Sequence, residues 1–322
     1  MTILIIGAGL VGSQIARVLV HEGQHPVLMD VAAQRNALGE IVDLARVTMV
    51  EGSVLRPLRL TQVIQEHQVT DVVHTVANPM LTLGAQRDPY AAIELNIMGT
   101  VNVLEAARVH KLARVVVSSS NVLNHFLSPG SDGGDHTRED AFPRPLTFYA
   151  STKQAIENLG LNYAQWCSVD FRAVRYGAVC GPWSGAGGGG PSNILRQAVS
   201  NALKGEEAVV PAGGLEWVYS KDAGRGTVLA LQVKAPAKRI FNLTMGRIVS
   251  GEELAAAIKT VVPGARVRLQ TPEGSSAAIP PADMLRASDQ STSRQVLGFT
   301  AEYDMAAAVK DLAGWLKTRG GS

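Results

Sequence analysis

Short apolar runs alternate with longer stretches of helical periodicity through the first half of the chain. The runs are rich in β-branched residues and lack alternating polar positions, which is typical of strands buried on both faces. This strand–helix–strand repetition predicts an α/β fold built on a doubly wound parallel sheet with right-handed crossovers. The predicted strands are 3–6, 27–29, 47–50, 72–76, 115–117 and 171–174, and the predicted helices include 11–21, 89–110 and 146–166.

The pattern changes after residue 179, where a glycine run at 185–190 predicts a loop. Beyond it, the sequence predicts helices at 192–204, 222–233, 251–261 and 304–317 and strands at 208–211, 217–219 and 239–243. Ser250 is the expected cap of the third of these helices. We therefore expect a cofactor domain and a smaller C-terminal α/β substrate domain. The first comprises residues 1–178 with a return segment at about 217–246, and the second comprises 179–216 and 247–318.

A glycine-rich turn follows the first predicted strand. Gly7, Gly9 and Gly12 form the pattern G-x-G-x-x-G between a strand and a helix, which is the context that this motif needs. Gly7 is expected to permit a tight turn, Gly9 a close backbone approach to a pyrophosphate, and Gly12 close helix–strand packing. The positive end of the helix then faces the phosphates. The turn predicts a Rossmann-type dinucleotide site.

An acidic residue, Asp30, ends the second predicted strand, near the spacing of about 20 residues expected for a ribose-binding acid. A carboxylate there accepts hydrogen bonds from the adenosine ribose and repels a 2′-phosphate. Val31 and Ala32 follow without a basic side chain, and Arg35 is expected on the next helix. The sequence therefore predicts NAD rather than NADP as the cofactor.

A tyrosine and a lysine, Tyr149 and Lys153, stand at i and i+4 on a predicted helix and share one face. A tyrosine acting as a base near pH 7 needs its pKa lowered by about three units, and a nearby ammonium and an oxidised nicotinamide both favour the phenolate. Serines at 118–120 end the fifth predicted strand, where a hydroxyl faces the ligand crevice of a parallel sheet. These residues predict proton transfer at a substrate oxygen.

The order of these motifs resembles the extended branch of the short-chain dehydrogenase/reductase superfamily, the NAD-dependent epimerase/dehydratase family. Further matches are 73–77, 96–100, 175–182, 218–222, Asp289 and 297–299, so the resemblance covers almost the whole chain. It implies that Tyr149 is the general acid/base and that Lys153 lowers its pKa and holds the ribose. Aligning the strand-five motif of the family on Val122 makes Ser119 the catalytic serine, and a one-residue slip would nominate Ser120.

The resemblance also implies which residues surround the cofactor. They are Gly7, Gly9, Leu10, Val11, Gly12, Asp30, Ser53, Val54, Val76, Ala77, Asn96, Tyr149, Lys153, Tyr176 and Val179. The candidates for substrate contact are Ser120, Asn121, His125 and Trp217. For His125, as for His136, a surface position is the open alternative, and for Trp217 it is the core of the smaller domain.

Two departures from the family narrow the predicted chemistry. Dehydratases carry Asp-Glu where this chain has Ser120 and Asn121, and neither titrates usefully, so dehydration is disfavoured. Sugar-nucleotide epimerases carry Arg-Asp before an aromatic strand, where this chain has Glu216 and Trp217. A carboxylate beside a diphosphate is repulsive, which favours a substrate without a diphosphate.

Charge and composition exclude several classes of partner. The 322 residues include 30 Lys and Arg against 28 Asp and Glu, a net charge of +2 that gives no case for nucleic acid or an anionic membrane. The two cysteines fit neither a disulfide framework nor a metal cluster. No apolar run reaches the about 18 residues of a membrane helix, and no basic segment precedes the first strand. We expect a cytoplasmic protein without a metal.

Together these observations predict an NAD-dependent oxidoreductase that moves hydride between NAD and a secondary alcohol or ketone of a small polar substrate. An epimerase of a sugar or sugar nucleotide, with a diphosphate held by residues such as Arg196 or Arg286, stays open. A non-catalytic NAD-binding sensor is a third alternative. The resemblance implies a homodimer through the fourth and fifth helices, with apolar positions at Ala91, Leu95, Met98, 101–104, Ile156, Leu159 and Tyr163.

Overall fold

The structure, a computed structural model, describes residues 1–77, 84–125, 145, 147–271 and 285–319. Its strands in chain order are β1 (Ile3–Ile6), β2 (Val27–Asp30), β3 (Thr48–Glu51), β4 (Asp71–His74), β5 (Arg114–Ser120), β6 (Phe171–Tyr176), β7 (Ala178–Cys180), β8 (Ala208–Pro211), β9 (Leu215–Tyr219), β10 (Ile240–Leu243), β11 (Ile248–Val249) and β12 (Val267–Gln270).

Helices connect these strands. In chain order they are α1 (Leu10–His21), α2 (Arg35–Gly39), α3 (Pro57–Glu66), α4 (Gly84–Arg87), α5 (Pro89–Ile93), α6 (Gly99–His110), α7 (Val122–His125), α8 (Phe148–Cys167), α9 (Gly189–Leu203), α10 (Ser220–Gln232), α11 (Gly251–Val261), α12 (Ser291–Leu297) and α13 (Met305–Lys317). A 3₁₀ turn spans Leu44–Arg46, and a π-helical turn, Glu94–Met98, joins α5 to α6.

Seven strands form one parallel sheet in the order β10-β6-β5-β4-β1-β2-β3. The chain runs outward from β1 to β3 and then returns to β4 on the other side of β1. The carboxyl ends of β1 and β4 therefore form the switch point at which such sheets bind ligands. The predicted doubly wound sheet is confirmed.

Both faces of this sheet are covered by apolar layers. Along β1, Ile3 and Ile5 belong to the layer under α1 and α10. Leu4 and Ile6 belong to the opposite layer, which contains residues of α3, α6 and α8. All four side chains are almost completely buried, because successive side chains of a strand point to opposite faces. This is why the strands of the sheet are continuous apolar runs in the sequence.

Two small sheets lie outside the large one. One is three-stranded in the order β11-β9-β7, and the other pairs β12 with β8. The segments 208–211 and 217–219, both predicted as strands, are thus not paired with each other, because each pairs with a strand elsewhere in the chain. Of the predicted return segment, α10 packs on α1 and β10 joins the large sheet, whereas β9 belongs to the three-stranded sheet. The proposed domain boundaries stay a prediction.

The glycine run and the cap of α11 show how local sequence sets helix starts. The loop prediction for 185–190 is wrong at its end, since α9 begins at Gly189. Gly188 precedes it with a φ of 78°, a conformation that favours glycine and turns the chain into the helix. Ser250 caps α11 as predicted, since its side chain accepts from the N–H of Glu253 and the Glu253 carboxylate accepts from the N–H of Ser250.

In the part of the chain that the structure describes, no helix is long and apolar enough to span a membrane. Within the same residues, no cluster of three or more His, Cys, Asp or Glu side chains is arranged to hold a metal ion. Cys167 is exposed and Cys180 is buried, and both are free thiols.

Candidate active site

The turn between β1 and α1 has the shape that a dinucleotide requires. Gly7 adopts a φ of +101°, which disfavours other residues. A Cβ atom on Gly12 would lie 1.8 Å from the carbonyl oxygen of Gly7, so only glycine lets α1 start this close to β1. A Cβ atom on Gly9 would meet no atom within 4 Å, so the backbone there is open to a ligand. The residues of this turn therefore fit the pyrophosphate of a dinucleotide.

The carboxylate of Asp30 lies at the end of β2, beside this turn. It accepts hydrogen bonds from the backbone N–H of Ala8 at 2.7 Å and of Ala32 at 3.2 Å. The side chain of Gln34 exchanges hydrogen bonds with the backbone of Ala186, so the glycine run lies against the same end of the site. Asp30 is held where a ribose would be bound, next to the residues predicted for the phosphates.

Replacing Asp30 with asparagine keeps an acceptor for Ala8 and removes the charge. We expect the unmodified protein to bind NAD more tightly than NADP, because the carboxylate repels a 2′-phosphate. The ratio of the two affinities should fall by about tenfold or more in Asp30→Asn, since a like-charge contact costs more than about 1.4 kcal/mol. Titration of both nucleotides checks this, and tighter NADP binding by the unmodified protein would contradict it.

Three side chains meet at the carboxyl end of β5. Tyr149 and Lys153 lie in the first turns of α8, which Thr147 caps by accepting from the N–H of Ala150. The hydroxyl of Ser120 lies beside the phenol of Tyr149 and acts to lower its pKa. The ammonium of Lys153 lies 5.5 Å from the centroid of the Tyr149 ring and donates to the carbonyl of Ser118 at 2.8 Å. The structure thus brings Ser120, Tyr149 and Lys153 together.

The side chain of Ser119 is bonded to a different residue of α8. Its hydroxyl donates to Oε1 of Glu157 at 2.5 Å, whereas the oxygen of Ser120 accepts from the N–H of Val122 at 3.3 Å and faces Tyr149. The structure therefore places Ser120 beside Tyr149 and Ser119 beside Glu157, and the catalytic role of either serine stays a prediction.

Burial dominates the proton affinities of the pair. It raises the pKa of Tyr149 to about 12, and the hydrogen bond with Ser120 opposes the rise. It lowers the pKa of Lys153 to about 8, and the charge of Glu157 opposes that fall. Lys153 alone therefore does not achieve the predicted lowering of the tyrosine pKa. Tyr149 is protonated at neutral pH and suited to donate a proton to a ketone.

His74, at the carboxyl end of β4, is a buried group that the sequence analysis did not single out. Its ring is 1% exposed, and neither ring nitrogen has a hydrogen-bond partner among the described residues. Burial, and secondly the charge of Lys153, lower the pKa of His74 to about 3. The imidazole is thus neutral in the folded protein and costs stability when acid protonates the unfolded chain.

We expect the protein to lose stability as the pH falls from 6.5 towards 3, because unfolded His74 binds a proton at pH 6.5 and the folded form binds it only near 3. The loss is about 1.4 kcal/mol per pH unit in that window. His74→Leu should flatten this part of the curve of unfolding free energy against pH. His21→Leu, at an exposed histidine, provides the comparison variant. Equal slopes in both variants would contradict the assignment.

The other predicted cofactor residues differ in their burial and in their contacts. Asn96 is buried in the π-helical turn and donates to the hydroxyl of Thr152 at 3.0 Å, which joins this turn to α8. Val76 lies against Gly7. The hydroxyl of Tyr176 is bonded to Thr227 of α10 and is committed to the core. The remaining ones are Leu10, which is buried, Val11 and Val179, which pack against apolar clusters, Ser53 and Val54 after β3, and Ala77 after β4.

The substrate candidates separate clearly. Asn121 is buried directly after Ser120. Trp217 is 2% exposed and lies in an apolar cluster with residues of β8, α9, α11 and α13, which agrees with the core position that the sequence left open. Its contact with a substrate stays a prediction. His125 ends α7, and its side chain lies outside the described residues, as does all of His136.

The carboxylate of Glu216 is buried rather than presented to a ligand. Its oxygens accept hydrogen bonds from Asn121, Thr244 and Ser288. These neutral donors satisfy the oxygens of the carboxylate, and the expected repulsion between Glu216 and a diphosphate stays a prediction. The strand Leu215–Tyr219 itself contains no lysine or arginine.

Comparison with known proteins identifies the class. Residues 3–244 match the model of the NAD dependent epimerase/dehydratase family. Protein CapI of Staphylococcus aureus is 24% identical over 190 residues, 57% of this chain and 55% of that protein, so the match spans about half of CapI. A putative UDP-glucose 4-epimerase of Methanocaldococcus jannaschii is 21% identical over 318 residues, 97% of this chain and 96% of that protein.

Among solved structures, a GalE-like L-threonine dehydrogenase of Cupriavidus necator in its holo form is 27% identical. The comparison has a TM-score of 0.81 and covers 98% of this chain and 100% of that one. The chain belongs to the NAD-dependent epimerase/dehydratase family. It is an enzyme of the extended short-chain dehydrogenase/reductase type, and the predicted family and the predicted cofactor, NAD, are both confirmed.

Proposed function

We propose that this enzyme is an NAD-dependent dehydrogenase that oxidises a secondary alcohol of a small polar substrate to a ketone, or catalyses the reverse reaction. The observation that carries the proposal is the group of Ser120, Tyr149 and Lys153 at the switch point, beside the glycine turn. The absence of a cation in Leu215–Tyr219 favours a substrate without a diphosphate. The likeness to the Cupriavidus necator dehydrogenase supports the same reading.

In the proposed reaction, the hydroxyl of Ser120 binds the substrate oxygen and orients it towards Tyr149. The phenolate of Tyr149 takes the hydroxyl proton as the carbonyl forms, and the positive charge of Lys153 favours that phenolate. When bound, oxidised NAD would supply the acceptor for the hydride of the substrate carbon and a positive charge near the phenol. Gly7, Gly9, Gly12 and Asp30 are the residues that would hold this cofactor. In the reverse direction Tyr149 donates the proton, which its raised pKa suits.

The test is incubation with NAD and a panel of L-threonine, small hydroxy acids, polyols, aldoses and UDP-glucose. Steady formation of NADH with one of the small substrates is the expected result. An epimerase is the second candidate, because the Methanocaldococcus jannaschii relative is a putative UDP-glucose 4-epimerase. Formation of an isomer without release of NADH would replace the proposal with this candidate. Tight NAD binding without turnover of any substrate would favour a sensor instead.

We also propose that two copies associate through α6 and α8. Apolar side chains are exposed on this side of the sheet, including Met98 beside α6, Leu159 and, at 75% exposure, Trp166 on α8. Further exposed ones are Tyr90, Ile93 and Val109. By contrast, Val103, Leu104 and Ile156 are buried within the subunit and are not available for this contact. Because so many apolar side chains are exposed to water here, we expect a second copy of the chain to bury them in a dimer interface.

Light scattering should give the mass of a dimer for the unmodified protein. The double variant Met98→Glu, Leu159→Lys should give a monomer, because each change puts a charge into an apolar contact. Leu58 on α3 is 82% exposed and belongs to neither α6 nor α8, so Leu58→Lys serves as the matched control and should stay dimeric. A monomeric mass of the unmodified protein at high concentration would contradict the proposal.

We further propose a cytoplasmic location, which the two free thiols support.

A further inference from the structure

Two buried carboxylates flank the peptide that carries Ser120. The residue before it, Ser119, donates its hydroxyl proton to Glu157 at 2.5 Å. The residue after it, Asn121, donates from its side-chain amide to Glu216 at 3.2 Å. Glu157 is 3% exposed and Glu216 is 2% exposed. Such charges are costly to bury unless they are fully bonded, so each invites a structural explanation.

Glu157 is bonded on a second side by Arg175. The guanidinium of Arg175 donates to both oxygens of the carboxylate, with Nε–Oε1 at 2.8 Å and Nη2–Oε2 at 2.6 Å. Glu157 also lies one helical turn beyond Lys153 on α8. One carboxylate thus ties together the helix that bears Tyr149 and Lys153, the strand β6 and the residue next to Ser120.

Glu216 is bonded to residues of three distant segments. Oε1 accepts from the hydroxyl of Thr244 at 2.7 Å and from the backbone N–H of Ser288 at 2.9 Å. Oε2 accepts from the hydroxyl of Ser288 at 2.6 Å as well as from Asn121. This carboxylate therefore connects the end of β5 to the smaller domain through β9 and to the chain around residue 288.

A short bridge joins the two carboxylates. Arg175 donates from Nη1 to the side-chain oxygen of Asn124 at 2.9 Å. The amide nitrogen of Asn124 donates to the hydroxyl of Ser288 at 2.7 Å, and that hydroxyl donates to Glu216. The bonds form a continuous path from one neighbour of Ser120 to the other. We call this path the serine clamp, made of Ser119, Glu157, Arg175, Asn124, Ser288, Glu216 and Asn121.

We propose that the serine clamp is a positioning device that holds the hydroxyl of Ser120 against Tyr149, with Glu216 as its anchor in the smaller domain. This inference rests on the proposed function of Ser120 and Tyr149. None of the residues of the clamp has to touch the substrate for it to work. Its physical basis is that a small misplacement of a reacting group reduces the rate strongly, even when the cause lies outside the chemistry.

The test is a double-mutant cycle with Glu216→Gln and Ser120→Ala, using the panel substrate that gives the fastest NADH formation. Glu216→Gln alone should lower kcat on the order of 10- to 100-fold, with a smaller change in KM. In the Ser120→Ala background the same change should lower kcat by less than about twofold, because the group it positions is gone. If the double variant shows a decrease in kcat equal to the product of the two single decreases, the two residues act independently and the proposal of the serine clamp is overturned.

Ser288→Ala breaks the bridge without altering a buried charge, and it keeps the test decisive if Glu216→Gln does not fold. Like Glu216→Gln, Ser288→Ala should lower kcat. Because the bond from Ser120 lowers the pKa of Tyr149, both variants should also move the rise of the oxidation rate to higher pH. An unshifted profile with normal kcat in Ser288→Ala would overturn the proposal.

Asp222 offers a matched control. It is a buried carboxylate, 1% exposed, whose partners are the Arg225 guanidinium and the backbone of Glu302 and Tyr303, none of which belongs to the serine clamp. Asp222→Asn should lower the melting temperature, yet leave the pH profile unshifted and kcat within about twofold. If Tyr149→Phe keeps the full rate, the proposed function itself fails. If Tyr149→Phe is inactive, but the effects of Glu216→Gln and Ser120→Ala on kcat multiply, only the proposal of the serine clamp fails.

Discussion

Replacing Tyr149 with phenylalanine should lower the turnover by about 10²–10⁴-fold, which is the usual contribution of a general acid–base group. The change removes one hydroxyl and keeps the buried ring, so the fold should be retained. The affinity for NAD should stay within a few-fold, because the ring is not a main anchor of the cofactor. Steady-state rates with the panel substrate and a separate NAD titration measure the two effects.

Two further variants make this result interpretable. Lys153→Met should reduce both the turnover and the NAD affinity, and it should move the rise of the oxidation rate to higher pH, since a positive charge that favours the phenolate is lost. Ser120→Ala should cost less than Tyr149→Phe, since the serine orients and bonds without transferring the proton. An unchanged rate in Tyr149→Phe would show that this tyrosine is not the acid–base group.

Adding a methyl group at Gly9 and at Gly12 should have two different outcomes. At Gly12 the new Cβ atom would lie 1.8 Å from the backbone oxygen of Gly7. Backbone cannot rotate away as a side chain can, so α1 has to move off β1. We expect Gly12→Ala to lose NAD binding and to lower the melting temperature as well.

At Gly9 the Cβ atom would meet nothing within 4 Å, so Gly9→Ala should fold with nearly unchanged stability. The methyl group would occupy the space through which the backbone approaches the pyrophosphate, so NAD affinity should still fall by about tenfold or more. Thermal unfolding and NAD titration of both variants separate packing from ligand contact. Normal NAD binding by Gly9→Ala would show that the pyrophosphate does not lie over this residue.

The large sheet was predictable because its strands have an apolar pattern that can be recognised from the local sequence. A strand buried on both faces is apolar at every position, as in Ile3–Ile6, and needs no knowledge of its neighbours. The ends were less well predicted, since β3 begins and ends one residue later than expected and β4 stops at His74. Strand ends depend on which partner strands continue, and that is a property of the assembled sheet.

The small sheets were harder to foresee. The strands β7, β11 and β12 contain two to four residues, and Val267–Gln270 alternates between half-buried and exposed positions. Segments this short have too little pattern to stand out from loops. They become strands because β8 and β9 offer edges to them, and β12 pairs with a strand more than fifty residues earlier in the chain.

The sequence by itself determined the parts of the site whose geometry is local. The glycine turn, Asp30 at the end of a strand, and the spacing of Tyr149 and Lys153 on one helical face depend on neighbours within a few residues. Only the tertiary structure decided which serine meets Tyr149, because that choice depends on the direction of each side chain relative to α8. The same holds for the burial of Glu216, whose partner Ser288 is 72 residues away in the chain, and for His74, whose surroundings come from separate strands and helices. The spacing of nearby residues is determined by the sequence, whereas contacts between distant segments exist only once the sheet and its helices are assembled.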